Sequence, residues 1–385
     1  MIGARKGDSS RGAGQWLASL PIGPIVVLLV LFEGPLPAAV TLDSPRDYQV
    51  FQRASVSAGS IAIRGRSDAT CDAAEVRLEG SPWQPIAVSP PCVFDGRIPA
   101  APGGWYGVEV RLWQKGERAG AAGVEHVGLG EVFVVSGQSN STNYGEEAQR
   151  TRSQMVATFS GSDWRLANDP QPGVQDNSTA GSFIPAFGDA LYARYKVPIG
   201  VASVGYGGTS VRQWLPRGDR FRAAPTNQRF VMAAGDGQWE STGQLFDGML
   251  ARIRQFGPAG FRAVLWHQGE SDSHQAVGHE MDAAEYRRMM ERLIREMRAR
   301  AGWEFPWFVA QATYHSPADP ATPEIRDAQA ALWAEGLALQ GPDTDALTGD
   351  YRQGNGAGVH MSAKGLEAHG RLWAAAVAAW LDHQP

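Results

Sequence analysis

Two residues that lie far apart in the sequence could together carry nucleophilic chemistry. Ser139 lies in SGQSN (136–140), directly after an apolar run, and His360 lies in GVHMSAKG (358–365), ahead of the last predicted helix. A serine hydroxyl becomes a nucleophile when a base removes its proton, and histidine titrates in the range that suits this base. Either residue alone is also typical of a turn, a helix cap or the surface, so a catalytic role is indicated only if other catalytic residue types accompany it.

Two carboxylates are candidates for orienting His360. Glu270 lies in LWHQGESD (265–272), after a predicted strand, and Asp350 lies in LTGDYRQG (347–354). An acid that holds the imidazole in the right orientation completes the usual triad arrangement. Each could equally be a solvated loop carboxylate, and the sequence leaves the choice between them open.

Glycines in a third segment could stabilise an oxyanion. Gly207 and Gly208 lie in GYGGTS (205–210), where the missing side chains would let backbone N–H groups approach a substrate closely. Gln268 could add a side-chain donor. A phosphate loop is less favoured because GxxxxGK[ST] does not occur, and without HExxH or paired CxxC we predict no metal site.

The predicted strands and helices around these residues indicate that the residues lie in one common site. From Glu131 onward, strands such as 131–137, 197–205, 261–269 and 307–315 alternate with helical patterns. Such alternation predicts a parallel sheet with helices on both faces, in which ligands bind beyond the carboxyl ends of the strands. The candidate residues follow strands or precede the last helix, so we expect them to converge at one edge of the sheet.

The earlier part of the chain has a different pattern. Residues 42–129 show short strands that are separated by Pro and Gly clusters, which predicts a small β-sandwich-like accessory domain. Cys71 and Cys92 lie in this part and could form a disulfide in an oxidising compartment.

The N-terminus and the composition bear on location and partners. Residues 1–39 combine a basic start, an apolar run and small residues near Ala39, which predicts a signal peptide rather than an anchor. We therefore expect export, to the periplasm or the medium, and no stable membrane span after processing. The formal net charge of −5 for 385 residues argues against nucleic-acid binding.

The four segments together resemble the sequence blocks of SGNH hydrolases. SGQSN, GYGGTSVRQW (205–214), WHQGESD (266–272) and GVHMSAKG are most similar to the branch of sialate O-acetylesterases and acetylxylan esterases. The resemblance covers about residues 130–380 and implies a flavodoxin-like α/β hydrolase domain at 130–383. An N-terminal β-rich domain also occurs in sialate O-acetylesterase-like proteins.

The resemblance also implies roles for individual residues. Ser139 would be the nucleophile, His360 the base, and Gly207 an oxyanion donor beside the N–H of Ser139. Gln268 and Glu270 would share the oxyanion-donor and acid roles, with Glu270 the first choice as acid. Gly208 and Asn140 are expected among the oxyanion or substrate contacts. Many SGNH enzymes have an Asp three residues before the histidine, but Ala357 stands there in this chain. The acid is then Glu270, Asp350 or a backbone carbonyl.

The function that the resemblance implies is removal of O-acetyl groups from carbohydrate through an acyl-enzyme, with no cofactor and with an acetylated carbohydrate as the partner. Two alternatives stay open: an acyltransferase that acts on an exported polysaccharide, and an inactive carbohydrate-binding protein. Arg212 and Trp214 could contact sugar or simply pack. The sequence predicts neither the particular sugar nor the oligomeric state.

Overall fold

In a computed structural model of the chain, residues 39–384 are described, so the predicted signal peptide at 1–39 lies almost wholly outside the described residues. The first part of the described chain consists of strands and turns. Its strands are β1 Val40–Ser44, β2 Val50–Gln52, β3 Gly59–Ser67, β4 Ala73–Leu78, β5 Gln84–Ser89, β6 Val93–Ala100 and β7 Gly103–Gln114.

These early strands enclose a core of their own. Strand pairs β1–β3, β3–β6, β5–β6, β4–β5 and β4–β7 are all antiparallel. Their alternating inward residues, among them Ile61, Val76 and Phe94, are buried together. Cys71 and Cys92 belong to the same cluster and form a disulfide, which confirms the predicted pairing.

One strand continues from this part into the rest of the chain. Strand β8, Glu117–Gly137, is 21 residues long. Its first half pairs antiparallel with β7, and its second half pairs in parallel with the strands Ile199–Ser203 and Ala263–His267. The predicted boundary between residues 129 and 130 therefore lies within a continuous strand, and the division into domains stays a prediction.

A buried ion cluster lies beside the same boundary. Glu131, which is fully buried, accepts hydrogen bonds from Arg53 Nε at 2.6 Å and from Arg262 Nε at 2.7 Å. Gln52 Nε2 donates to the same carboxylate at 2.8 Å. One carboxylate thus holds side chains from the early strands and from the segment just before Ala263–His267.

The remaining elements alternate between strand and helix, as predicted. The strands are β9 Val156–Phe159, β10 Trp164–Leu166, β11 Ile199–Ser203, β12 Arg220–Phe221, β13 Val231–Gly235, β14 Gln238–Ser241, β15 Ala263–His267, β16 Trp307–Gln311 and β17 Leu339–Asp343. The helices are α1 Ile184–Tyr195, α2 Gln244–Phe256, α3 Glu270–Ser273, α4 Ala283–Ala301, α5 Pro323–Ala334 and α6 Ala363–Leu381.

The central sheet is mostly parallel. Its order is β10-β9-β11-β8-β15-β16-β17, and only the edge pair β9–β10 is antiparallel. The mixed α/β architecture that the sequence predicted is therefore confirmed. Strands β12 to β14 form a separate small antiparallel sheet. Within residues 39–384 no helix has the length and apolar character to cross a membrane.

Helices cover both faces of the central sheet because its strands are apolar on both sides. In β8, Val132 and Val134 pack into the core that includes residues of α2, α4 and α5, whereas Phe133 and Val135 pack into the core formed with α1 and α6. This alternation follows from the two-residue period of a strand. Because helices cover both faces, the carboxyl edge of the sheet, where β8 and β15 end, is the part that carries polar residues.

Helix starts follow the local capping signals. Asp282 Oδ1 accepts a hydrogen bond from Glu285 N at 2.7 Å at the start of α4, and Ser362 Oγ accepts one from Gly365 N at 3.1 Å at the start of α6. Each cap satisfies an N–H group that has no partner inside its helix. Ser362 thereby fixes where α6 begins, two residues after His360.

Candidate active site

Ser139 begins a short 3₁₀ turn, Ser139–Ser141, immediately after β8. The turn is set by Gly137, which has φ +126° and whose added Cβ would lie 2.0 Å from the His267 carbonyl oxygen. Only glycine fits this conformation and this close approach. Ser139 is 6% exposed, and among residues 39–384 its hydroxyl has no hydrogen-bond partner. The strand end therefore presents a hydroxyl that is not engaged elsewhere.

Asn140 joins the loop of Ser139 to the loop of His360. Its Nδ2 donates to Glu270 Oε1 at 2.9 Å and to the carbonyl oxygen of Val359 at 3.3 Å. Val359 is the residue before His360, so the residues next to the two predicted catalytic groups are in direct contact. The structure thus brings the first, third and fourth sequence blocks together.

His360 is half-buried beside Tyr144. The two ring centroids lie 5.1 Å apart, and His360 Nδ1 lies 2.7 Å from Gln353 Nε2. Burial lowers the pKa of His360; the positive charge of Arg352 lowers it further, and Glu270 opposes the shift. A histidine with a lowered pKa is neutral at neutral pH, which is the state that a general base needs.

Gly207, in the second sequence block GYGGTSVRQW, lies close to Tyr144, which contacts His360. A Cβ added to Gly207 would lie 2.6 Å from Tyr144 Cε2, so Gly207 packs directly on the ring that contacts His360. The Gly207 N–H donates to Asp176 Oδ2 at 2.7 Å. Gly208 is exposed with φ +68°, and an added Cβ there would meet only Asn227 Nδ2, at 3.8 Å. Of the two glycines, Gly208 faces the more open space.

Glu270 lies at the centre of a buried network. Its Oε1 lies 2.9 Å from His267 Nε2 and also accepts from Asn140, and the side chain is almost completely buried. Burial alone raises the pKa of Glu270, but His267, its hydrogen bond and that of Asn140 outweigh burial, so the net pKa is lowered. Glu270 is therefore held as a carboxylate.

The network continues away from the sheet edge. His267 Nδ1 lies 3.1 Å from His369 Nε2, and Trp373 Nε1 donates to the same His369 atom at 3.1 Å. An indole N–H only donates, so His369 Nε2 accepts and His267 Nδ1 is the donor. Burial strongly lowers the pKa of His369, so a neutral His369 accepts hydrogen bonds from both His267 and Trp373.

Comparison with known proteins shows to which family the chain belongs. A family model described as a carbohydrate esterase, sialic acid-specific acetylesterase, matches residues 129–379. The chain belongs to this family. The esterase is accordingly a carboxylic ester hydrolase that removes acetyl groups from carbohydrate, as the sequence blocks predicted. A search of curated proteins found no match.

One of the similar solved structures shows the same fold. A carbohydrate acetylesterase from Xanthomonas citri superposes with a TM-score of 0.55 at 20% identity, and the match covers 88% of the esterase and 75% of that chain. A protein from Arabidopsis thaliana gives a TM-score of 0.45 at 20% identity, covering 66% of the esterase and 98% of that chain.

Two expected oxyanion contacts have other partners in the esterase. Gln268 is fully buried, and its Nε2 donates to Thr209 O at 3.1 Å and to Asp272 Oδ2 at 2.6 Å. The Asn140 amide is likewise used by Glu270 and Val359, as described above. A donor that is already paired inside the protein is not available to a substrate, so these two side chains hold the loops in place.

Asp272 explains why the second and third blocks stay together. This fully buried carboxylate accepts from Ser210 Oγ and from Val211 N at 2.8 Å, in addition to Gln268. Burial raises the pKa of Asp272 despite these hydrogen bonds. Asp272 lies inside WHQGESD, but no feature of that motif distinguished it from its neighbours.

Neither candidate acid is hydrogen-bonded to His360. Glu270 pairs with His267, and the Asp350 carboxylate, whose side chain is 87% exposed, lies 3.6 Å from Lys364 Nζ. The alternative that Asp350 orients the histidine is therefore wrong in this structure. Glu270 makes no direct hydrogen bond to His360, but its negative charge opposes the lowering of the His360 pKa.

The side chains of Arg212 and Trp214 are packing residues rather than sugar contacts. Both are fully buried. The Arg212 guanidinium donates to the carbonyl oxygens of Ala223, His279 and Glu280, and Trp214 Nε1 donates to Thr209 Oγ1 at 3.0 Å.

Sequence reasoning missed the residues that contact His360 from other segments. Tyr144 and Gln353 lie in stretches without a recognised pattern. Only Gln353 carried a usable signal, because it lies seven positions before His360 in the segment that also holds Asp350.

Proposed function

We propose that the esterase works through an acetyl-enzyme on Ser139, with His360 as the base. The observation that carries the proposal is the contact between the two loops: Asn140 Nδ2 donates to Val359 O, which joins the neighbours of Ser139 and His360. The free Ser139 hydroxyl and the neutral imidazole are the two groups that such chemistry requires.

In the proposed reaction, His360 Nε2 takes the proton of Ser139 while the oxygen of Ser139 attacks the acetyl carbonyl carbon. The resulting tetrahedral oxyanion collapses, the bond to the sugar oxygen breaks, and the imidazolium returns its proton to that oxygen. Water then attacks the acetyl-serine with His360 again as base, and acetate leaves. Each proton that His360 accepts is returned within the same half-reaction.

Backbone N–H groups are the best available donors for stabilising the oxyanion. We assign this role to the N–H groups of Ser139 and Gly208, because the N–H of Gly207 already donates to Asp176 Oδ2. Gly208 lies beside open space and is held through its carbonyl oxygen, which accepts from Asn227 Nδ2 at 3.1 Å. A fixed donor of this kind typically contributes about 3 kcal/mol to lowering the barrier.

Tyr144 is the proposed contact for the sugar ring. Its side chain is 38% exposed and lies beside both His360 and Gly207. An exposed aromatic ring next to the reacting groups suits stacking on a pyranose. A Tyr144→Ala variant should raise KM for an acetylated glycan more than for p-nitrophenyl acetate.

The direct test is loss of turnover in two single variants. Ser139→Ala and His360→Ala should each lower kcat for p-nitrophenyl acetate by about 10³-fold or more. Ser162→Ala and His383→Ala, at exposed positions, are matched controls and should keep full activity. Retained turnover in Ser139→Ala would contradict the proposal.

A panel of acetylated glycans should then identify the substrate. Acetate release from acetylated sialic acid, xylan, pectin and peptidoglycan can be compared under one set of conditions. If an added sugar acceptor speeds p-nitrophenol release without a matching release of acetate, the acetyl group is being transferred to sugar rather than to water.

The remaining features are proposed from the sequence and the early strands. We propose that residues 42–129 are a β-sandwich-like accessory domain, supported by their antiparallel strands around a separate core. We also propose that the esterase acts after export, supported by the signal-like segment at 1–39 and by the Cys71–Cys92 disulfide. Cell fractionation of the full chain and of a variant without residues 1–39 tests export.

A further inference from the structure

The Nδ1 atom of His360 has an unexpected neighbour. The position three residues before the histidine is Ala357, and neither Glu270 nor Asp350 is hydrogen-bonded to the imidazole. The contact at Nδ1 is instead the side-chain amide of Gln353, at 2.7 Å. A neutral amide thus occupies the place where a carboxylate would orient the base.

We propose that Gln353 is the positioning residue for His360, replacing the acid of a Ser–His–Asp arrangement. This inference rests on the proposed function and concerns the orientation of the base rather than its identity. Gln353 does not reach the substrate; it acts through the imidazole.

The backbone around Gln353 is held firmly enough for this role. Gln353 N donates to His360 O at 3.0 Å, and Gly358 N donates to Gln353 O at 2.9 Å. Gly358 also makes room for the side chain, because a Cβ there would lie 2.5 Å from Gln353 Cγ. Residues 353 and 360 are therefore fixed to each other as well as joined through their side chains.

Arg352 anchors the same segment from the other side. It is 2% exposed, and its guanidinium donates to Leu347 O, Thr344 O and Val359 O at 2.6 to 2.8 Å. The bond to Val359 ties this anchor to the residue next to His360. A buried arginine with three carbonyl partners leaves little freedom for the adjacent Gln353.

The tautomer of the imidazole decides how the amide must face. A base that takes a proton at Nε2 carries its own proton on Nδ1, so the group opposite Nδ1 must be an acceptor. Gln353 offers one after a half-turn of its amide, which exchanges Oε1 for Nε2 without moving the rest of the side chain. In that arrangement Nδ1–H donates to Oε1 throughout the cycle, and Nε2 exchanges its proton with Ser139 and the leaving sugar oxygen.

A neutral partner has a consequence for pH dependence. A carboxylate beside Nδ1 would stabilise the imidazolium and raise the pKa of His360, whereas an amide does not. The charged and titratable groups that face the imidazole are then Glu270, Arg352 and the Tyr144 phenol, and the net pKa of His360 is lowered. The amide keeps the base neutral at mildly acidic pH.

Two substitutions test the proposal. Gln353→Met keeps the length of the side chain but removes the acceptor, so kcat should fall by about 10²-fold, with little change in KM. Gln353→Glu places a carboxylate beside Nδ1, so kcat should be retained. The carboxylate should raise the pKa of His360, so the midpoint of the acidic limb of the kcat/KM profile should shift to higher pH by about one unit or more. Gln255→Glu is the matched charge control, because Gln255 lies on α2 and contacts Gly161 O, and its profile should not move.

The outcomes separate this proposal from the proposed function. Wild-type kcat in Gln353→Met, or an unmoved acidic limb in Gln353→Glu, overturns the role of Gln353 even if Ser139→Ala and His360→Ala are inactive. If those two variants retain activity, the serine mechanism itself fails. Should Gln353→Met not fold, as judged by its thermal unfolding, the pH profile of Gln353→Glu still decides.

Discussion

At the scale of single residues, the proposed role of His360 as the base predicts the pH range in which the esterase is active. Activity requires the neutral imidazole, so it is lost as the pH falls through the pKa of His360. Because burial lowers that pKa below its ordinary value of about 6.5, the acidic limb should have its midpoint below pH 6.5. The pH dependence of kcat/KM for p-nitrophenyl acetate reports this pKa in the free enzyme. A midpoint at or above 6.5 would contradict the burial that lowers it.

Glu270 should matter for stability as well as for the placement of Asn140. A buried donor left without its partner typically costs about 1–3 kcal/mol, and Glu270→Ala removes the carboxylate that pairs with both His267 and Asn140, so it should lower the free energy of unfolding by about 2–6 kcal/mol. Glu291→Gln is the control, because Glu291 forms an exposed pair with Arg295 and its loss should cost under about 1 kcal/mol. Urea unfolding of both variants makes the comparison; equal losses would show that the Glu270 pair is not worth more than a surface pair.

The residues proposed to react could be selected from the sequence, but the residues that contact and position them could not. Ser139 and His360 could be selected because few residue types perform nucleophilic and base chemistry, and each stood at a strand end or before a helix. The partners of Glu270 and His360 could not be selected, because hydrogen bonds to His267 and Gln353 depend on side-chain positions that no local pattern encodes. The partners of Gln268 could not be predicted either: its side chain was expected to donate to substrate, but it donates to Thr209 and Asp272 instead.

At the scale of elements, the end of β8 depends on one glycine. Gly137→Ala should both strain the backbone at φ +126° and press a Cβ against the His267 carbonyl oxygen. Gly116→Ala is the matched control, since Gly116 has φ +81° but open space around it, so it should show only the backbone cost of about 1–2 kcal/mol. Gly137→Ala should lose more stability than the control and also lose kcat, because the turn that carries Ser139 is displaced. Equal stability and full activity in both variants would show that the turn does not need glycine.

The helices and the parallel strands could be predicted because their signals are local. The caps at Asp282 and Ser362 and the apolar runs of β8, β11, β15 and β16 are contiguous in sequence. The strands β9 and β10 and the small sheet of β12 to β14 were not predicted, since their segments are short and their stability comes from pairing partners distant in sequence. Nor could the sequence reveal that β8 runs unbroken through the predicted domain boundary.

At the scale of the whole molecule, β8 and the Glu131 cluster should make the described part of the chain unfold as one unit. Replacing both cysteines, Cys71→Ser with Cys92→Ser, should lower stability by about 3 kcal/mol, since the disulfide closes a loop of 21 positions. Because β8 pairs with both β7 and β15, the loss should reach the active site too.

Hydrogen exchange in rising urea can measure this coupling. Peptides from β6 and from β15 should lose protection at one shared midpoint, which also marks the loss of esterase activity, and the double cysteine variant should move all three together. If β6 loses protection at a urea concentration where β15 and the activity persist, the two parts unfold independently.

The proposed mechanism requires a covalent acetyl group on Ser139. Rapid acid quenching of the esterase during turnover of p-nitrophenyl acetate, followed by peptide mass spectrometry, would locate the acetyl group directly. We expect one acetyl group on the peptide that contains Ser139, and none in Ser139→Ala. An acetyl group on a different residue during turnover would contradict the account, as would full hydrolysis by Ser139→Ala.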